Sequence, residues 1–286
     1  MRNKNIIVTG ASRGLGAVIA NHLFSRGANL LLVARDTGKL KVLVEGLKER
    51  SLDGQTVDFF SVDLSQGYSP GLVAAVAGAR WDSLFGLVNN AGILGPIGKV
   101  WENDWELWKD TIGVNLIAPV GLCRECVLWM AAGGGGKIVN LSGGGATTSR
   151  PNFSAYAVAK TGIVRFTEIL AEEARSLNVQ VNCIAPGSLN TDMLKSVLNA
   201  GQEAVGETEY ALAEKQSKKG GVDPQLAAEL CAFLMSPESD KITGKIISAV
   251  WDPWQKFPPH LEDLVDSDVY TLRRVVPEIL AEDLVA

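Results

Sequence analysis

Histidine is nearly missing from this chain: His22 and His260 are the only two among 286 residues. Neither has a ligand-type partner at motif spacing, so a His-based triad or metal site lacks its parts. Cysteine is scarce too, at Cys123, Cys126, Cys183 and Cys231. Cys123 and Cys126 have C-x-x-C spacing, but they fall inside a helix-like stretch with no second pair and no nearby His. They read as buried or half-buried thiols, and no metal is expected. A basic excess is absent as well. Lys and Arg total 27 against 32 Asp and Glu, a net charge of −5, which argues against a broad nucleic-acid footprint. No apolar run reaches the ~18 residues a bilayer span needs, so no membrane role is expected. The segment Met1-Arg2-Asn3-Lys4-Asn5 leads into a short β-branched run without the apolar stretch and cleavage site of a signal peptide. The expected location is therefore cytoplasmic.

What is present is an alternation. Short apolar runs at 5–9, 29–33, 57–61, 86–89, 137–142, 180–184 and 246–250 read as strands. Several are apolar on both faces, as strands buried in a parallel sheet are. Helix-like stretches separate them at 14–26, 37–50, 103–130, 154–176 and 223–235. This predicts an α/β fold, a single Rossmann-type doubly wound parallel sheet with helices on both faces. No linker splits it, so one domain is expected over residues 1–250, with a C-terminal extension over 251–286. The glycine run 133–136 reads as a flexible turn before a strand.

The first run, Ile6-Ile7-Val8-Thr9, enters Gly10-Ala11-Ser12-Arg13-Gly14-Leu15-Gly16, and a helical pattern follows. Gly10 permits a tight turn. Gly14 and Gly16 let backbone approach a pyrophosphate, which the amides of the helix N-terminus then face. This segment resembles the cofactor motif of the classical short-chain dehydrogenases/reductases. Further motifs of that family follow in order: Asp63-Leu64, Asn89-Asn90-Ala91-Gly92, Asn115, Ser142, Tyr156-x-x-x-Lys160 and Pro186-Gly187. The resemblance covers roughly residues 5–250. It implies a nicotinamide cofactor and an oxidoreductase acting on a carbonyl or secondary alcohol. It makes Asp63 a partner for the adenine amine, and gives the Asn90, Ala91 and Gly92 segment the adenosine side. Pro186, Gly187, Leu189 and Thr191 would fix the nicotinamide carboxamide.

The choice between the two dinucleotides turns on the end of the second strand. NAD binders place a carboxylate there for the ribose hydroxyls; by family register that position is Ala34. Arg35 follows, and Arg13 lies in the glycine turn, so two guanidiniums can grip a 2′-phosphate. NADP(H) is favoured over NAD(H), with Asp36 as a possible competitor for Arg35.

Tyr156 and Lys160 are four apart on an expected helix and share a face. A free tyrosine has a pKa near ~10 and is a poor base at neutral pH. A nearby ammonium favours the phenolate, which suits general acid/base work. Ser142, separated from Tyr156 by thirteen residues, can hold the substrate oxygen as charge develops. Asn115 lies inside a predicted helix as a mediocre helix former; the resemblance gives it a water-holding role in a proton relay toward Lys160.

Three features depart from the family. The last strand ends in Trp251-Asp252-Pro253-Trp254 instead of an Asp-Gly-Gly-like turn. The tail beyond it carries Phe257, Tyr270, Arg273 and Arg274; it either packs on the domain or a neighbouring subunit, or closes over the site and offers an arginine to an anionic substrate. The lid region 191–221 is rich in Glu and Lys, which tilts the expectation to a small polar substrate such as a sugar or polyol. Trp101, Trp105 and Trp108 form a stripe expected to serve core or subunit packing. The resemblance also implies a homodimer or homotetramer built from the 103–130 and 154–176 helices. Two other functions remain open: a sugar-nucleotide epimerase or dehydratase, whose glycine spacing differs, and a cofactor-sensing protein without turnover.

Overall fold

The seven apolar runs form seven parallel strands in the computed structural model, which describes residues 1–265 and 267–274. They are β1 (Asn5–Thr9), β2 (Asn29–Ala34), β3 (Val57–Ser61), β4 (Gly86–Asn89), β5 (Gly136–Leu141), β6 (Val179–Ala185) and β7 (Ile246–Ser248), in the order β3-β2-β1-β4-β5-β6-β7. The helices are α1 (Gly14–Ser25), α2 (Thr37–Lys48), α3 (Ser69–Gly78), α4 (Trp105–Ile112), α5 (Ala118–Ala132), α6 (Ser154–Glu173), α7 (Asp192–Val205), α8 (Glu207–Lys219), α9 (Pro224–Leu234) and α10 (Leu261–Leu264).

The pleat explains why the strands are apolar on both faces. Ile6 and Val8 pack with Ile19 and Leu23 of α1 and Leu230 of α9. Ile7, between them, packs with Val73 of α3 and Leu122 and Cys126 of α5 on the other face. Leu30, Leu31 and Leu32 of β2 are fully buried. Each such burial contributes about 1.5–3 kcal/mol, more than the ~1 kcal/mol over which strand propensities range. Burial on both faces therefore makes a strand of three residues that favour helices elsewhere.

The chain moves outward from β1 to β3 and then returns to place β4 on the other side of β1. That reversal opens a crevice at the carboxyl ends of β1 and β4, where open α/β sheets bind ligands.

Several elements differ from the sequence reading. The single helix expected over 103–130 is α4 and α5 joined by one π-helical turn at Gly113–Ile117. The Trp105–Ala132 stretch is long and apolar enough to cross a membrane by length and composition, with a mean hydropathy of 1.4. It is a core helix here: Leu122, Cys123, Cys126 and Met130 are buried against the sheet. Helix α3 went unread because its sequence, SPGLVAAVAG, has no periodic contrast. Strand β7 stops two residues early because Asp252 accepts from the Ser248 amide (2.6 Å) and Ser248 Oγ accepts from the amides of Val250 and Trp251. The tryptophan stripe is not core. Trp101 precedes α4, is 77% exposed and donates to Glu102; Trp105 is 59% exposed and stacks on Trp108 (5.0 Å), which donates to Ser154 Oγ.

The described part of the tail packs on the domain. Trp254 is buried beside Phe233 and donates to the Ala249 carbonyl. Ile246 N donates to the Tyr270 carbonyl, and Leu272 joins Ala146, Val164 and Cys183. Arg273 pairs with Glu168 and Asp268. Glu168 lies eight residues beyond Lys160 on α6, about 12 Å along the helix at the usual rise. Arg273 is therefore committed away from the site and is not offered to a substrate. Residues 275–286 of the expected extension lie outside the described residues.

Candidate active site

Glycines shape the crevice at the end of β1. Gly10 and Gly14 have φ of +64° and +55°, which a side chain would strain. A Cβ on Gly16 would stand 2.3 Å from the Gly10 carbonyl oxygen and 2.4 Å from Asn90 Nδ2. Asn90 braces this turn, donating from Nδ2 to the carbonyls of Thr9 (3.0 Å) and Gly10 (3.3 Å). Thr9 Oγ1 accepts from the amides of Asn90 and Ala91. Aspartates cap α2, α4 and α9. Helix α1 has no side-chain cap and no acidic residue in its first turn. Its free N-terminal amides and the two left-handed glycines make a cradle that fits a dinucleotide pyrophosphate. Leu15 and Leu64 are buried, each in a core cluster on a different face of the sheet.

Basic side chains surround the cradle. Arg13 pairs with Asp192 at the start of α7 (2.9 Å), and Arg35 lies 3.9 Å from Asp63. The competition expected from Asp36 does not arise, because Asp36 caps α2 through the Lys39 amide and pairs with Lys39 Nζ. Asp63 also accepts from the Ser65 amide. Lys39 lines a shallow cleft with Ser12 and Gly38, and its charge acts on Asp192. The sequence reading missed Lys39; its signal was a cation in the first turn of the helix after β2. Thr191 flanks α7 and sits 3.9 Å from where a Gly14 Cβ would stand, joining the lid to the glycine turn. Gly187 has φ of +84° and abuts Val250 and Val222, while the Leu189 carbonyl accepts from Gln216.

The four expected catalytic residues come from three elements. Ser142 follows β5, with its amide still bonded to the Ile184 carbonyl. Its Oγ is buried and, among the described residues, has no partner stronger than the Cys183 thiol beside it. The buried Cys183 thiol beside it, pushed up to about 12 by burial, stays neutral. Tyr156, on the first turn of α6, is 8% exposed, and its hydroxyl lies against Gly143, where a Cβ would meet it at 2.3 Å. Lys160 Nζ donates to the Leu141 carbonyl (2.8 Å) and lies 5.7 Å from the Tyr156 ring centroid. A Cβ on Gly92 would stand 3.1 Å from Asn115 Oδ1 and 3.7 Å from Lys160 Nζ, so these groups share one corner.

Two details correct the sequence reading. Asn115 sits in the π-helical turn, and its side chain is occupied by Ile93, accepting from the amide (2.8 Å) and donating to the carbonyl (2.7 Å). These two bonds fix the loop after β4. Burial also governs both partners of the Tyr–Lys pair: it raises the phenol above its ordinary value and lowers Lys160 to about 8. The charge that pulls Tyr156 back down is Arg150. Beneath the site runs a buried polar chain that the sequence reading passed over. Asn89 donates to Asn140, which donates to Thr167, locking β4, β5 and α6 together. The signal was an asparagine inside the apolar run Lys137-Ile138-Val139-Asn140-Leu141.

The lid comprises α7, broken at Gly201 (φ +79°), and α8. Most of its Glu and Lys residues are exposed, Glu209 and Glu214 being half-buried. Val197, Val205 and Ala213 are buried with Leu94, Phe153 and Tyr156, and Met193, Leu194 and Tyr210 pack around them. Helical periodicity has sorted a polar sequence into a polar outer face and an apolar inner one.

Residues 4–202 match the family model described as short chain dehydrogenase. The 3-oxoacyl-[acyl-carrier-protein] reductase FabG of Chlamydia trachomatis is 32% identical over 246 residues, covering 86% of this chain and 95% of that one. The structure of L-sorbose reductase from Gluconobacter frateurii, complexed with NADPH and L-sorbose, superposes with a TM-score of 0.77 at 28% identity, over 87% of this chain and 95% of that one. A short-chain type dehydrogenase/reductase from Mycobacterium ulcerans gives a TM-score of 0.76 at 25% identity, over 96% of this chain and 99% of that one.

Proposed function

The chain belongs to the short-chain dehydrogenase/reductase family and is an NAD(P)-dependent oxidoreductase acting on a C=O or CH–OH carbon; on that premise we propose that it uses NADP(H), with Tyr156 as proton donor and acceptor. The observation that carries the reading is the buried Ser142 hydroxyl, met only by a weak thiol among the described residues and one residue from the glycine that touches the Tyr156 hydroxyl. Such a group costs about 1–3 kcal/mol unless a ligand satisfies it, and a substrate oxygen would. When bound, the dinucleotide supplies or accepts the hydride. Ser142 and Tyr156 hold the substrate oxygen, and Tyr156 passes it a proton. Lys160, fixed by the Leu141 carbonyl, holds the nicotinamide ribose and returns the proton. Asn115 keeps the Gly92–Ile93 corner open beside Lys160.

The NADP(H) preference rests on Ala34, which has no carboxylate, and on Arg13, Arg35 and Lys39 near the cradle. The NADPH in the L-sorbose reductase structure is in line with it. The substrate is a small molecule. The polar composition of the lid no longer argues for a sugar by itself, because apolar lid side chains pack with Tyr156. We therefore favour a ketone or secondary alcohol with an apolar portion beside the reacting carbon. A sugar or polyol stands as the second reading, favoured by the likeness to L-sorbose reductase. The division into a domain over 1–250 and an extension over 251–286 and the cytoplasmic location are parts of the same proposal. So is a homodimer or homotetramer built from the 103–130 and 154–176 helices, which expose Ile117, Leu128, Val158 and Ile169.

The test is NADPH and NADH consumption against a panel of ketones, sugars and sugar nucleotides. Turnover with NADPH is expected, and Tyr156→Phe should bind cofactor yet lose about 10²–10⁴-fold in rate. A Tyr156→Phe protein as active as the original would overturn the reading.

A further inference from the structure

Arg150 carries a charge at the site that the reaction scheme above does not use. It lies on the segment between Ser142 and Tyr156. Its side chain is 19% exposed and pairs with Glu209 of α8, whose side chain is 30% exposed. Nε (3.0 Å) and Nη2 (2.9 Å) both donate to Glu209 Oε2. The guanidinium carbon stands 4.0 Å over the ring centroid of Phe153, a fully buried neighbour of Tyr156. Nη1 lies 3.4 Å from where a Gly144 Cβ would stand, so the third nitrogen faces the loop that follows Ser142. The same segment has a second tie to the lid, from Asn152 Nδ2 to the Val205 carbonyl (3.1 Å).

An exposed ion pair is worth little. This one is partly buried, uses the planar fork of arginine, and stacks on an aromatic face, which are the conditions under which such a pair holds a geometry. It is also oriented, with its negative end on α8 and its positive end on the catalytic segment. The groups around Tyr156 leave few other charges to act. Lys160, on its own helix, is held by the Leu141 carbonyl. From α7 the packed side chains are Val197, Met193, Leu194 and Leu198, all uncharged, while Asp192 and Lys195 pair with each other. From α8 come Tyr210 and Ala213, with Glu209 bound to Arg150.

We propose that Arg150 is a positioning residue: held by Glu209, it ties the lid helix α8 to the segment between Ser142 and Tyr156 and presents a fixed positive charge to the Tyr156 phenol. The inference deepens the reading of Tyr156 as acid and base. Its test reads no turnover, so its failure would leave the family assignment and the reaction standing.

The measurement is a difference titration of the tyrosinate absorbance, each protein against its own Tyr156→Phe counterpart, with no cofactor present. Hydrogen exchange of the α8 amides is followed in parallel. Arg150→Met should move the Tyr156 midpoint up by about one pH unit and speed exchange in α8. Glu209→Gln should speed exchange equally without raising the midpoint, because the guanidinium stays. Arg150→Lys should keep the midpoint near the original while losing the fork, so exchange again speeds. An Arg150→Met midpoint equal to the original overturns the electrostatic half. Unchanged exchange in both Arg150→Met and Glu209→Gln overturns the latch. Should Arg150→Met fail to fold, Arg150→Lys and Glu209→Gln decide alone: a raised midpoint in Glu209→Gln, or unaltered exchange in both, sinks the proposal.

Discussion

The glycine turn and the lid face each other across one site, yet they were built from different information. At the turn, function resides in backbone: Gly10, Gly14 and Gly16 stand where a Cβ would collide or a left-handed φ would strain. The constraint is local, so a short motif records it. At the lid, function resides in which side of a helix each residue faces. Val197, Val205 and Ala213 line the inner face, while Glu and Lys fill the outer one. Composition averages over both faces and reports the wrong one. The same chain thus announces one wall in its letters and hides the other in its phase.

The sharpest way to break this contrast is at Gly16. Gly16→Val places a side chain against the Gly10 carbonyl and Asn90, and overpacking of this kind costs about 1–3 kcal/mol or more. Cofactor affinity by nucleotide fluorescence should fall at least about tenfold, with a lower Tm. Next comes Arg35→Ala. Loss of a charged hydrogen bond to phosphate costs about 1.5–3 kcal/mol, so the NADPH Kd should rise about 10–100-fold while NADH binding holds. Equal losses for both cofactors would remove Arg35 from the 2′-phosphate.

On the lid, Val197→Asp introduces a carboxylate into the apolar cluster beside Tyr156, and KM should rise roughly tenfold. Glu203→Gln, on the exposed outer face, should leave KM unchanged. Equal effects at the two positions would erase the inside–outside distinction.

The smallest expected effect is a pH dependence of apo stability. Lys160 is lowered to about 8 in the folded protein, against about 10.4 in an unfolded chain. Between those values the unfolded state binds more protons, so stability rises with pH, by at most about 1.4 kcal/mol per pH unit. The buried cysteines act the other way. Cys126, Cys183 and Cys231 are raised to about 12, so above their unfolded values the unfolded state loses protons first and stability declines. Thermal melts should therefore show a gain from about pH 8 that reverses above about 9, and Lys160→Met should lose the gain.

The sheet was legible because its strands, buried on both faces, show as short apolar runs such as 30–34 set between longer helix-like stretches. Ser142, Tyr156 and Lys160 were legible as a group because the first follows a strand and the other two lie on the first turns of one helix. Asn115 was placed, but nothing in Gly113-Val114-Asn115-Leu116 signals a π-helical turn or a side chain occupied by Ile93. Arg150 and Glu209 were not read at all: 58 residues lie between them, and neither belongs to a repeating pattern. Contacts that bridge a loop to a distant helix leave no local trace.

Beyond the last strand, the chain returns so that the Tyr270 carbonyl accepts from Ile246 N. A bare strand margin invites other polypeptides to add themselves by backbone pairing, the first step of many aggregates. Here a segment of the same molecule already stands alongside. Loss of that segment would cost solubility before it cost chemistry: a chain cut at residue 250 is expected to precipitate on concentration while its dilute form still turns over.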